Sequence, residues 1–101
     1  MEKYSLYFCA TAYADMDELE QFVLEECSAP LTAYRLFENL GKHWEWLKQF
    51  AELPAIDAEL SIQYGRLIRS IRFGKKMVII YSVEGNVVYI HRVMPQSMIN
   101  F

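Results

Sequence analysis

The sequence predicts an α+β protein. A short N-terminal strand precedes an antiparallel helical hairpin and a three-stranded antiparallel meander, with the helices packed on one face of the sheet. Three observations carry this prediction. Two amphipathic stripes at helical spacing occupy the first half of the chain. Three β-branched runs between residues 66 and 94 are separated by Gly74 and Gly85. A short β-prone run, Tyr4-Ser-Leu-Tyr-Phe-Cys9, opens the chain. With 101 residues, residues 1–101 are expected to form a single domain with one core.

Taken in order, the opening run is mostly apolar, which predicts burial on both faces or a central place in the sheet. The first helix is expected to open near Asp15, with Glu18 three residues on as a capping partner. Its apolar stripe is Met16, Leu19, Phe22, Val23 and Cys27. Ser28-Ala29-Pro30 breaks this helix and starts a second, expected from Pro30 to Phe50, because proline is tolerated in a first turn. Leu31, Tyr34, Phe37, Leu40, Trp44 and Leu47 form its stripe, with Trp46 off it and free to mark a partner contact. Gly41 within this pattern suggests a close packing contact, since glycine costs a helix about 1 kcal/mol relative to alanine. Glu52-Leu-Pro54 ends the helix. Ala55 to Gly65 has weak periodicity and is expected to be a turn of helix or an irregular loop, with the next strand starting early.

The meander strands are expected at about 66–73, 76–83 and 86–94, followed by the tail Pro95–Phe101. A two-residue turn at Glu84-Gly85 would pair Val83 with Asn86, Ile80 with Tyr89 and Val78 with His91. Met77, Ile79, Tyr81, Val88, Ile90 and Arg92 would then form the helix-packed face.

Composition narrows the function classes. The chain is 53% hydrophobic and 15% aromatic, as expected of a packed domain. Its longest apolar run is far short of the roughly 20 residues a membrane span needs. No membrane association is expected, and the N-terminus lacks a signal-peptide pattern. Its 2 cysteines show no metal-ligand spacing, which predicts a reduced cytoplasmic setting without a metal or cofactor. The net charge of −3 hides a split. Residues 1–59 are strongly acidic, whereas residues 60–101 carry Arg66, Arg69, Arg72, Lys75, Lys76 and Arg92 against Glu84 alone. That asymmetry points to a polyanion or an acidic partner at the meander. Nucleotide-binding glycine loops, nucleophile elbows and metalloprotease helices are absent from the sequence.

The order of elements, the Leu53-Pro54 end of the hairpin and three meander segments together resemble the RelE/ParE superfamily of type II toxins. The segments are Ile68-Arg69-Ser70-Ile71, Gly74-Lys75-Lys76-Met77-Val78-Ile79-Ile80-Tyr81-Ser82-Val83 and Val87-Val88-Tyr89-Ile90-His91-Arg92-Val93. The resemblance implies a toxin that inhibits growth or stabilises a plasmid and is neutralised by a cognate antitoxin. Its ParE-like members inhibit DNA gyrase by binding it. RelE-like members cut mRNA on the ribosome.

Aligned on Tyr81, the position of the ribonuclease members' strand arginine is Val78. The segment after the last strand, Met94-Pro95-Gln96-Ser97-Met98, lacks their basic residues. Phosphate cleavage depends on cations at the transition state, so the resemblance is closer to the ParE-like branch. No catalytic residue is assigned on that branch. The ribonuclease alternative would use Arg69, Arg72, Lys75, Lys76 and His91. A third alternative is a toxin-fold binding module without toxicity. Partner binding is expected at Arg69, Arg72, Lys75, Lys76, Tyr89, His91, Arg92 and Trp46, in an oligomeric state the sequence does not specify.

Overall fold

The computed structural model of the chain describes residues 2–25, 30–74 and 76–95. The order is β1 (Ser5–Phe8), α1 (Ala10–Glu25), α2 (Pro30–Phe50), α3 (Ala58–Tyr64), β2 (Arg69–Phe73), β3 (Met77–Glu84) and β4 (Val87–Pro95). The strands form one sheet in the order β1-β4-β3-β2. The meander is antiparallel throughout, and β1 pairs in parallel with β4. Lys75, Cys27, the 28–29 break and the 96–101 tail lie outside the described residues.

The long α2 runs over its expected span, because its stripe keeps Leu40, Leu47 and the following Ala51 buried against the sheet. The expected stripe continues beyond the sheet, however. Leu31 and Tyr34, in the first two turns of α2, are 60% and 67% exposed. Gly41 has no close packing contact, since a Cβ there would meet nothing within 4 Å.

α1 begins five residues before the expected Asp15. The Cys9 carbonyl accepts the Ala12 and Tyr13 N–H groups at 2.9 and 3.1 Å and so starts the helix. Asp15 therefore lies inside the helix, and its carboxylate is used elsewhere. β1 is an edge strand rather than a central one. Leu6 and Phe8 turn toward the core, while Ser5 and Tyr7 are exposed on the other face.

The segment 55–65 contains a capped helix, where the sequence suggested weak order. Asp57 is its N-cap, with Oδ1 accepting the Leu60 N–H at 3.0 Å. Gly65 closes it in the left-handed region at φ 67°, donating its N–H to the Ser61 carbonyl. Ser61 Oγ also accepts the Ile68 N–H at 2.8 Å, which ties the helix to the lead-in of β2. That lead-in delays the strand to Arg69, three residues after its expected start.

The β3–β4 turn uses Gly85-Asn86, with Glu84 opposite Val87, instead of Glu84-Gly85. Gly85 has φ 61°, a conformation glycine adopts freely and glutamate does not. Tyr89 therefore faces Ser82, and Val78 faces Met94. A bulge between Ile80 and Tyr81 pairs these residues with Arg92 and Ile90, leaving His91 as the extra residue on β4. Ile79, Tyr81, Val88 and Ile90 do face the helices as expected. The bulge gives the next inward place to Val93 and releases Arg92 from that face.

Two cores result. The larger lies between the helical hairpin and the sheet and includes Leu40, Leu47, Phe73, Tyr81 and Ile90. The smaller, Leu60, Ile68, Val78, Ile80 and Met94 with Tyr64 against it, lies under α3 on the opposite sheet face.

Candidate functional site

The face of the sheet away from the hairpin is only partly covered by α3. Period-two alternation sends Tyr7 of β1, Ser82 and Glu84 of β3, and Tyr89 and His91 of β4 to this side. Tyr7 is 58% exposed, and its ring lies 5.5 Å from that of Tyr89 on the neighbouring strand. His91 is the polar centre. Its Nε2 is 2.8 Å from the buried Ser82 Oγ, and its Nδ1 is 3.6 Å from Cys9 Sγ. The Tyr64 ring approaches at 5.9 Å, and the His91 carbonyl accepts the Thr11 hydroxyl at 2.7 Å. Burial holds the His91 pKa below its usual value; Arg66 lowers it further, and Glu84 opposes the change. The ring is therefore neutral near pH 7, with two hydrogen-bond partners in fixed places. Burial likewise raises the Tyr64 phenol, against the pull of Arg92.

Apart from Arg66, which acts on His91 and pairs with Glu84 at 4.0 Å, the sequence-selected cations turn to other places. Arg69 turns toward the end of α2 and donates through Nη1 to the carbonyls of Glu52, at 2.9 Å, and Pro54. Arg92 forms a two-point ion pair with Asp15 of α1, Nε to Oδ2 at 2.7 Å and Nη2 to Oδ1 at 3.0 Å. Arg72 and Lys76 are exposed at β2 and its turn, with all of β3 between that strand and His91 on β4.

Trp46 is half-buried and packs 5.6 Å from the Phe50 ring. With Asn39, Lys42, His43, Ile71 and Arg72 it lines a shallow cleft of about 450 Å³ between α2 and the β2 edge. His43 Nδ1 donates there to the Asn39 carbonyl at 2.8 Å. Phosphoryl chemistry requires cations converging on one oxygen cluster; Arg69 and His91 lie apart from Arg72, which shares its cleft with Lys42 and His43. Among the described residues, no three His, Cys, Asp or Glu side chains come together to hold a metal ion. No helix among them is long and apolar enough to cross a membrane.

Sequence reasoning missed Cys9, Ser82 and Tyr64 as neighbours of His91 and Asp15 as the partner of Arg92. Ser82 carried a signal, as the one polar residue interrupting the apolar run Met77–Val83. Cys9 and Asp15 carried none, because they meet β4 across 82 and 77 residues of sequence.

No family model matches the chain, and no curated protein matches it. Among solved structures, a chain of the "Chromosomal ParDE TA system from P. aeruginosa" superposes with a TM-score of 0.68 and 18% sequence identity. The match covers 92% of this chain and 96% of that one. The chain has a ParE-like fold. The expected α+β arrangement of strand, hairpin and meander is thus the observed one, with α3 added on the far side of the sheet.

Proposed function

We propose that this chain is the toxin of a type II toxin–antitoxin pair, acting by binding a protein rather than by cutting RNA. The likeness to a chain of the ParDE system, over nearly the whole length of both, supports the pair and its cognate antitoxin. The observation that carries the mode of action is the engagement of Arg69 and Arg92 within the fold. Each spends its guanidinium on structural partners and leaves His91 without a cation cluster.

What remains on the sheet face suits docking. Tyr64 lies against a neutral histidine, Tyr7 and Tyr89 lie ring to ring on the same sheet face, and tyrosines contribute large contact area at low entropic cost. Tyr89 and His91 are the proposed central contacts. Arg72 and Trp46, which line one cleft at the β2 edge, form a second proposed contact, with the exposed Lys76 at the following turn. Arg69 and Arg92 support these surfaces from within. The proposed target is DNA gyrase, reached in the cytoplasm, with growth arrest as the consequence and plasmid stabilisation as a role.

The test is induced expression in a bacterial host, alone and with the adjacent reading frame. Arrest with intact transcripts, relieved by the neighbour, is expected. Arrest with mapped mRNA cleavage that disappears on replacing Arg72 and Lys76 would instead support the ribonuclease alternative. Harmless expression would favour a non-toxic binding module, a second reading consistent with the net charge of −3.

A further inference from the structure

The His91 environment holds three groups that the docking proposal does not use. Cys9 stands at the start of α1 with its carbonyl capping the helix. Its thiol is free and half-buried, so small reagents can reach it. His91 Nδ1 lies 3.6 Å from Sγ, and the opposite ring nitrogen is fixed at 2.8 Å by Ser82 Oγ. Ser82 is 2% exposed, so its hydroxyl has little freedom to find another partner. Because Thr11 also binds the His91 carbonyl, side chain and backbone of this residue are both held against the β1–α1 junction. A thiol, a neutral imidazole and a third group orienting the imidazole form the arrangement in which a histidine activates a sulfur nucleophile.

We propose that Cys9, His91 and Ser82 form a reactive-thiol site at which low-molecular-weight disulfides modify the chain. In the tautomer whose Nε2–H donates to Ser82 Oγ, Nδ1 is free to accept the Cys9 S–H proton. As that proton moves to Nδ1, Sγ attacks one sulfur of the incoming disulfide. A new S–S bond forms, the old one breaks, and the departing thiolate takes a proton from the imidazolium or from water. The balance is one protein thiol and one disulfide giving one mixed disulfide and one small thiol, without any further oxidant. His91 touches the reacting sulfur and is the base, while Ser82 is a positioning residue. The charged and titratable groups around the imidazole are Tyr64, Arg66, Glu84 and the Asp15–Arg92 pair. Burial first, and then Arg66, keep the base neutral, and Glu84 opposes them.

The experiment uses the full chain carrying Cys27→Ser, so that Cys9 alone is read. An aromatic disulfide reporter and, separately, oxidised glutathione are followed at pH 7 by absorbance and intact mass. The reporter is expected to react at least about tenfold faster than free cysteine, in keeping with general-base assistance. His91→Gln should remove that advantage and flatten the rate's rise at pH values below 6.5, a change that mere loss of packing would not produce. Ser82→Ala should reduce the rate severalfold while the rise with pH persists, and it serves as the test if His91→Gln does not fold. A rate no faster than free cysteine, or a fast rate untouched by the available variants, overturns the proposal. So does a rate that appears only after denaturation.

Discussion

Asp15→Ala should destabilise the chain far more than a substitution of a helical carboxylate normally does. The Asp15 side chain is 10% exposed and Arg92 33%, so the pair is largely but not wholly desolvated. Removing one partner of a fully buried ion pair costs about 3–5 kcal/mol. The partial exposure of Arg92 reduces that to about 2 kcal/mol, because water re-solvates part of the stranded guanidinium. Asp15 Oδ2 also accepts the Val93 N–H at 3.0 Å, and losing that bond costs about 1 kcal/mol more. The sum of about 3 kcal/mol corresponds to a fall in Tm of roughly 12–24 °C in a chain of this size.

Urea unfolding followed by circular dichroism measures the free energy, and calorimetry gives the Tm. Asp15→Asn retains an oxygen for the Val93 N–H and should recover about 1 kcal/mol. In a cycle with Arg92→Met, a coupling of about 1–2 kcal/mol is expected. A cost below about 0.5 kcal/mol for Asp15→Ala, the range of surface substitutions, would refute the reasoning that α1 is fastened to β4 through this pair.

Tyr81 donates its hydroxyl to the Ala51 carbonyl at 2.7 Å, and burial raises its pKa above the usual 10.0. A raised phenol gives stability that is present below pH 10.0 and lost as pH rises above it. Urea midpoints should therefore fall above pH 10.0, less so in Tyr81→Phe, which should cost about 1–2 kcal/mol at neutral pH. Arg69→Met should lose about 1–3 kcal/mol as the Glu52 and Pro54 carbonyls lose their donor, whereas Arg72→Ala should stay within about 0.5 kcal/mol. Equal costs at the two positions, read by thermal unfolding, would remove the structural role given to Arg69. Gly41→Ala should raise stability by up to about 1 kcal/mol, since the helix gains propensity and the new Cβ meets open space. A lower Tm in that variant would contradict the packing described for α2.

Much of the fold was legible because its signals are local. The α2 stripe and the glycines at the meander turns depend on neighbours three or four residues away; α2 spans its expected residues and the meander has its three strands, with their ends shifted by one to three residues. The start of α1 was misjudged because Asp15 followed by Glu18 imitates a capping box. In the fold the carboxylate serves Arg92 instead, a partner 77 residues on. The capped helix α3 did carry local signs in Asp57 and Gly65, but Leu60, Ile62 and Tyr64 also alternate as a strand would. Tertiary packing decided it, burying Leu60 and leaving Ile62 exposed. The β3–β4 register depended on one residue of turn placement and on a bulge, and alternating apolar residues specify neither. The candidate site was legible only in its β4 half, Tyr89 and His91. Its Cys9 and Ser82 contacts come from the parallel addition of β1 and from that same bulge.

The proposed function depends on the sheet face being a docking surface. Arg69 and Arg92 hold the fold, His91 lies against Tyr64, and Arg66, which acts on it, is paired with Glu84. The most direct measurement is a titration of purified chain into a DNA gyrase supercoiling reaction. Loss of supercoiling at near-stoichiometric chain, weakened by Tyr89→Ala and abolished by prior addition of the neighbouring gene's product, is the expected result. Supercoiling that proceeds unchanged at a large molar excess would contradict the account.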